Sequence, residues 1–276
     1  MDFQEIEFCK KQEIEFCKKD VEYFIEKYLY IYSYKENQMQ LDTFKLFAHQ
    51  RKILKNYLKN DYNIVSQYRG GGTSTLSCAY LFWKMISNNN FKVGVVGANI
   101  GCVNSLLKII LDFNKYLPKE LKLEIADNNS KKITFNNGSE IKLLLTNESL
   151  FRDNSFDLLF LDNASFFDVK DTFYDSIRLV SKKIIVTSTP NGKDNLFYPI
   201  YEETKNGVGD FKLTEVFWFE DERYNSDLTW QKDDEVIEGK DVIKYNPTST
   251  WYKKTESSYG KNVKTFNQEF NHSFGC

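Results

Sequence analysis

Apolar positions along this chain fall into short unbroken runs, separated by stretches with helical spacing. Asn63-Ile64-Val65-Ser66, Lys92-Val93-Gly94-Val95-Val96-Gly97, Leu158-Leu159-Phe160-Leu161 and Lys183-Ile184-Ile185-Val186-Thr187 read as strands buried on both faces. Thr73 to Ile86 is an apolar helix stopped by Asn88-Asn89-Asn90, and Val103 to Tyr116 a second one, broken by Pro118. Ile133-Thr134-Phe135 and Ile141-Lys142-Leu143-Leu144-Leu145 flank Asn136-Asn137-Gly138, a hairpin signal. Phe173 to Val180 fits a shorter helix. Buried strands alternating with helices predict an α/β fold: a mainly parallel central sheet covered by helices on both faces.

The two ends are less regular. Phe16, Val21, Phe24, Ile25 and Tyr28 stand at helical spacing, which predicts helix through Tyr34. Within it, Gln4-Glu5-Ile6-Glu7-Phe8-Cys9-Lys10-Lys11 recurs at residues 12 to 19. An eight-residue shift turns a helix by roughly 80° beyond whole turns, so the copies face different directions; a local duplication explains them better than a solenoid. Phe44 to Gln50 leads into a short helix ending near Tyr57. Past residue 210, Phe211 to Phe219 is strand-like, Asn225 to Thr250 polar, and Val263 to Phe270 helical in pattern. The expected division is a helical segment over 1–34, an α/β core over 35–210 and a small mixed subdomain over 211–276. The acidic run Glu220-Asp221-Glu222 reads as a solvated loop.

Composition narrows the function classes. With 276 residues and 41% hydrophobic content, one sizeable core is available, and no run approaches a membrane span. A net charge of −2 argues against nonspecific coating of nucleic acid, while leaving room for a local patch. Five scattered cysteines without CxxC spacing, and two histidines, argue against a zinc site and for reduced thiols in a cytosol.

The chemistry-bearing stretch is Ser66-Gln67-Tyr68-Arg69-Gly70-Gly71-Gly72-Thr73-Ser74, a glycine-rich turn between an apolar strand and an apolar helix. Small residues there let backbone N–H groups converge on an anion at a helix N-terminus, and Thr73 or Ser74 would ligate magnesium. The second element is Asp162, which ends a buried strand where ligands bind in such sheets; its plainer role would be a helix cap. Together they are the layout by which P-loop NTPases hold a nucleotide and its metal. Thr187-Ser188-Thr189-Pro190-Asn191-Gly192 follows a further buried strand.

In segment order the chain resembles the ATPase domain of the large terminase subunit, the DNA-packaging motor of tailed bacteriophages. Cys17 to Phe24 is similar to that family's opening motif, and His49-Gln50 stands where the family has an adenine-reading glutamine. Gly71 to Ser74 falls on its Walker A, and Phe135 to Ser139 on its hairpin. Arg152-Asp153-Asn154-Ser155-Phe156 matches its Arg-Gly-Asn-Ser-Phe run except at Asp153. Leu161 to Phe166 falls on Walker B, Thr187 to Gly192 on the coupling motif, and Phe266-Asn267-Gln268-Glu269-Phe270 on the closing segment. The resemblance implies a RecA-like P-loop ATPase fold, with ATP and Mg2+ as cofactors. Gln50 would read adenine, and Arg69, Gly70, Gly71, Gly72, Thr73 and Ser74 would hold phosphates. Thr73 and Asp162 would hold the metal, Arg152 would complete the site, and Thr187, Ser188, Thr189 and Asn191 would couple it to motion. Implied partners are double-stranded DNA, the portal and other packaging proteins, with a homo-oligomeric ring at the capsid portal in the host cytoplasm.

Two departures bear on catalysis. Gly72 takes the place of the phosphate-binding lysine, and Asn163 that of the glutamate that activates water. Arg69 could fold back to restore the charge, but an amide cannot take a proton from water. Slow or absent hydrolysis is therefore expected. A pseudo-ATPase serving phage assembly, and a helicase-like ATPase stimulated by nucleic acid, are the alternatives. The family's nuclease domain would begin where this chain stops.

Overall fold

The computed structural model describes residues 3–35, 38–146, 154–168, 172–237 and 240–274. Helix α1 (Phe3–Lys19) contains both copies of the repeat, and α2 (Val21–Tyr28) starts afresh at Asp20, whose side chain caps it by accepting from the Tyr23 N–H. The expected helix through Tyr34 ends here instead. Tyr30-Ile31-Tyr32-Ser33-Tyr34 is rich in strand-favouring aromatics, and it forms β1 (Tyr30–Lys35), antiparallel to β2 (Gln38–Thr43).

Next come α3 (Ala48–Lys59), β3 (Tyr62–Gln67), α4 (Thr73–Ser87), β4 (Lys92–Gly97) and α5 (Ile100–Tyr116). A meander of β5 (Ile125–Asn128), β6 (Lys132–Phe135) and β7 (Glu140–Leu145) follows, and Gly138 turns the β6–β7 hairpin at φ +77°. Then come β8 (Leu158–Asp162), α6 (Thr172–Val180), β9 (Ile184–Ser188), α7 (Phe197–Lys205) and β10 (Lys212–Val216). The polar stretch expected after Asn225 is an antiparallel hairpin, β11 (Thr229–Ile237) with β12 (Lys240–Thr248), leading to α8 (Thr250–Tyr259) and α9 (Val263–Phe270).

The main sheet has eight strands in the order β10-β3-β9-β8-β4-β7-β6-β5, the first six mutually parallel. It continues past the expected boundary at residue 210, because β10 pairs with β3. Side chains of neighbouring strand residues go to opposite faces. Val65, Phe160 and Ile185 join the core beneath α3, α4 and α5, whereas Ile64, Leu159, Leu161 and Val186 join that beneath α6 and α7. The first of these cores also takes in Cys17, Val21 and Phe24 near the start of the chain and Phe266 and Phe270 near its end. Since β3, β9 and β8 are adjacent and parallel, the residues just beyond Gln67, Ser188 and Asp162 meet at one sheet edge.

Candidate nucleotide site

At that edge the glycine-rich turn leads directly into α4. Gly70 and Gly72 have φ of +91° and +76°, a conformation that a side chain resists and glycine adopts freely. Gly72 is the N-cap residue, so Thr73 is the first residue of the helix, where backbone N–H groups lack partners within it. Thr73 is buried and its hydroxyl has no hydrogen-bond partner among the described residues. Ser74, one residue later, donates to Asp162 Oδ1 at 2.8 Å. The hydroxyl aligned with the strand-end carboxylate is thus that of Ser74, and Thr73 fills the position just before it.

Asp162 accepts a second bond from the Thr187 hydroxyl at 2.7 Å, and the Asn163 side chain donates to its other oxygen at 3.2 Å. Burial pushes its pKa up, against the pull of Thr187 and Ser74. Asn163 has φ +57°, a left-handed conformation that asparagine tolerates better than glutamate, and it leads into a single 3₁₀ turn, Ala164–Phe166. Its amide holds the neighbouring carboxylate and supplies no base. The segment after β9 wraps the same loop: Ser165 N–H donates to Ser188 Oγ at 3.1 Å, and Asn191 Nδ2 to Ser165 O at 3.2 Å. Thr189 is buried beside them in sequence. Asp162, Asn163, Ser74 and Thr187 therefore form one hydrogen-bonded group, and Ser165, Ser188 and Asn191 a second that adjoins it along the chain.

Gln50 lies on the other side of the turn. Its Oε1 accepts from the Phe47 N–H at 3.1 Å, and its Nε2 stands where a Cβ on residue 72 would come within 2.8 Å. Beside it opens a cavity of about 360 Å³, whose lining includes Phe47, Gln50, Gly72, Thr75, Lys108 and Arg223. Arg69 points elsewhere. Its side chain is 64% exposed and its Nη1 lies 3.3 Å from Glu269 Oε1, while its N–H donates to Glu269 O at 2.7 Å. Arg152 lies outside the described residues.

Three site residues were not legible in the sequence as such. His49 is buried with Nε2 3.0 Å from Gly71 O, so it braces the turn from behind. Asp221, expected in a solvated loop, is fully buried: the Tyr68 hydroxyl donates to it, and Arg223 bonds both its oxygens. Burial alone would raise its pKa, but Arg223 and Tyr68 overcome this and hold it below the ordinary carboxylate value. Arg223 also donates to Gly70 O at 3.0 Å. An apolar neighbourhood at residues 217–219, which buries the charges beside it, was the available signal.

Parallel-sheet order, glycine turn and strand-end aspartate define a P-loop ATPase-like α/β fold. No protein-family model matches the chain. Among solved structures, the HK97 bacteriophage large terminase aligns over 92% of this chain and 54% of its own, at 15% identity and TM-score 0.62. The large terminase ATPase domain of Thermus phage P74-26 aligns over 84% of this chain and 94% of its own (13% identity, TM-score 0.56). The ADP complex of a large terminase from a thermophilic bacteriophage aligns over 84% and 54% respectively, with 13% identity and TM-score 0.58. The chain accordingly has the fold of a phage large terminase ATPase domain. It spans about half the length of the full-length terminases it matches, 46% to 54%.

Proposed function

We propose that this chain is a terminase-type ATPase domain of a tailed-phage DNA-packaging motor, binding Mg·ATP and hydrolysing it slowly or not at all. The single observation that carries nucleotide binding is the 2.8 Å bond from Ser74 to Asp162 at the foot of a glycine nest. A hydroxyl at a helix N-terminus facing a strand-end carboxylate is the pair that takes magnesium in P-loop proteins, and Thr73's unpartnered buried hydroxyl leaves a polar group awaiting a ligand. On this reading Ser74 and Asp162 would hold the metal, and the N–H groups of Gly70 and of Gly72 to Ser74 receive the phosphates, that of Gly71 being bonded to Tyr68 O. Gln50 then presents its Nε2 to the base. A bound metal would favour the ionised form of Asp162, adding to its three hydrogen-bond donors against the burial that opposes it.

The bound metal would neutralise phosphate charge, while no lysine follows Gly72 and residue 163 offers an amide in place of a carboxylate. Loss of a general base alone slows such chemistry by about 10²–10⁴. Nucleotide state passes to Thr187, Ser188, Thr189 and Asn191 through the Asp162–Ser165 loop they hold. Double-stranded DNA and portal proteins, with a ring of copies around the DNA at the portal in the host cytoplasm, are the partners the terminase likeness suggests.

A pseudo-ATPase serving as a structural or regulatory subunit in phage assembly is the second reading, favoured by the loss of the glycine-turn lysine and of the glutamate at 163 together. Calorimetry with Mg·ATP separates the two. Binding by the wild type that drops at least tenfold in Ser74→Ala supports the nucleotide-binding domain. No binding at millimolar ATP sinks it and leaves the pseudo-ATPase.

A further inference from the structure

We propose that Arg223, delivered from the C-terminal part of the chain, is a nucleotide-contacting residue on the base-and-sugar side of the site. The inference rests on the nucleotide-binding reading above and deepens it. Arg223 lines the 360 Å³ cavity together with Gln50 and Gly72, so its guanidinium borders the space next to the glycine turn. The group is held on several sides at once. Nε lies 3.0 and 3.1 Å from the two oxygens of Asp221, Nη2 lies 2.5 Å from Asp221 Oδ2, and Nη2 also reaches Gly70 O at 3.0 Å. Phe47 lies 4.5 Å from Cζ and Tyr224 4.9 Å, so aromatic rings cover it as well. Nη1 makes no hydrogen bond among the described residues. A fork fixed this firmly, with one donor edge left over at a cavity, is a preorganised binding group.

The direction of approach selects the part of the ligand. Asp221 already balances the charge of Arg223, so a phosphate would gain little there that Asp221 does not oppose. Gly70 turns its carbonyl toward Arg223, whereas phosphates are received by N–H groups. Gln50, on the same cavity wall, has its Oε1 engaged by Phe47 and its Nε2 still available. Two donors on one wall match the acceptor atoms of a purine ring or of the sugar beneath it. Recognition is therefore divided between two walls. The glycine turn, Ser74 and Asp162 take the phosphates, and Gln50 with Arg223 takes the nucleoside. Asp221 and Tyr68 are positioning residues for Arg223.

The test compares ATP with inorganic triphosphate, each with magnesium, by calorimetry on the full chain. Removing Arg223 alone strands a buried Asp221, so Arg223→Lys is paired with the double variant Asp221→Asn/Arg223→Ala, which removes both charges together; each is checked by circular dichroism and thermal melting. The expected result is a tenfold or greater loss of ATP affinity in both variants, with triphosphate affinity unchanged. Equal loss for ATP and triphosphate means that Arg223 merely shapes the turn through Gly70, which overturns the proposal. Unchanged ATP affinity in both folded variants overturns it as well. If wild-type protein binds neither ligand, the underlying nucleotide reading has failed, and this inference falls with it.

Discussion

Gly72 and Asn163, where the terminase resemblance fails in the catalytic motifs, both lie in the left-handed backbone region, with φ of +76° and +57°. A lysine at 72 would meet a strained backbone, costing about 1–2 kcal/mol, and its Cβ would come within 2.8 Å of Gln50 Nε2. On the proposed nucleotide reading, the bond between Ser74 and Asp162 would put the magnesium-type hydroxyl at 74 and the place of the phosphate lysine at 73, at the start of α4. Thr73→Lys is therefore expected to raise Mg·ATP affinity by tenfold or more, whereas Gly72→Lys lowers stability by about 1–2 kcal/mol and improves nothing. Calorimetry and denaturant melts on both variants decide it; a gain at 72 and none at 73 would falsify the assignment. The glycine turn and Asp162 were legible at this scale, because both lie at the ends of obvious apolar strands. Which hydroxyl faces the carboxylate was not, since one residue of shift depends on where the helix begins. Arg69 illustrates the same limit: it is adjacent in sequence to the turn, yet Glu269, 200 residues away, takes its side chain.

The N-terminal helices show how an element gains its role from a neighbour. In the second copy of the repeat, Glu13 accepts from Tyr23, Lys27 and Tyr28 of α2 at 2.6 to 2.7 Å, and Cys17 is buried where its counterpart Cys9 is exposed. The rotation between copies is what separates the two cysteines, Cys17 turned to the core and Cys9 to solvent. The Lys27, Tyr23 and Tyr28 bonds lower the Glu13 pKa from 4.5 to about 2. A carboxyl depressed by folding contributes stability that is present above its unfolded value and lost as pH falls toward the folded one. The wild type should thus lose thermal stability more steeply than Glu13→Gln between pH 4.5 and about 2. Parallel melting curves over that range would mean that the α1–α2 link contributes nothing. Periodicity revealed the helices α4 and α5 to within a few residues, because their apolar faces are long. It failed at Tyr30–Lys35, where alternation over six residues is too short to outvote the helix before it, and pairing with β2 decides the matter.

At the scale of the molecule, the chain end is fastened to the glycine turn. Tyr68 N–H donates to Val216 O, Arg69 is held by Glu269, and Gly70 O accepts from Arg223. His272 bridges Ser66 Oγ at 3.2 Å and Val216 O at 2.9 Å, with burial pulling its pKa down. Helix α9 carries Glu269 and is anchored by Phe266 and Phe270, whose rings pack against Tyr252, Tyr259 and each other. Phe266→Ala should cost about 3–5 kcal/mol and also speed amide hydrogen exchange across residues 66–72. Destabilisation with unaltered exchange in the turn would show that α9 is an independent appendage. Taken by itself, the sequence determined the α/β class, the strands at the centre of the sheet, the glycine turn and the strand-end aspartate. Those features are written in local apolar runs and backbone-permissive residues, and burial on both faces leaves them one solution. Tertiary structure alone decided that β10 joins the sheet, that Ser74 and not Thr73 meets Asp162, and that Asp221 and Arg223 stand behind the turn. Each of these depends on distant segments packing together, and the Asp221 carboxylate is buried only once the surfaces around it have closed.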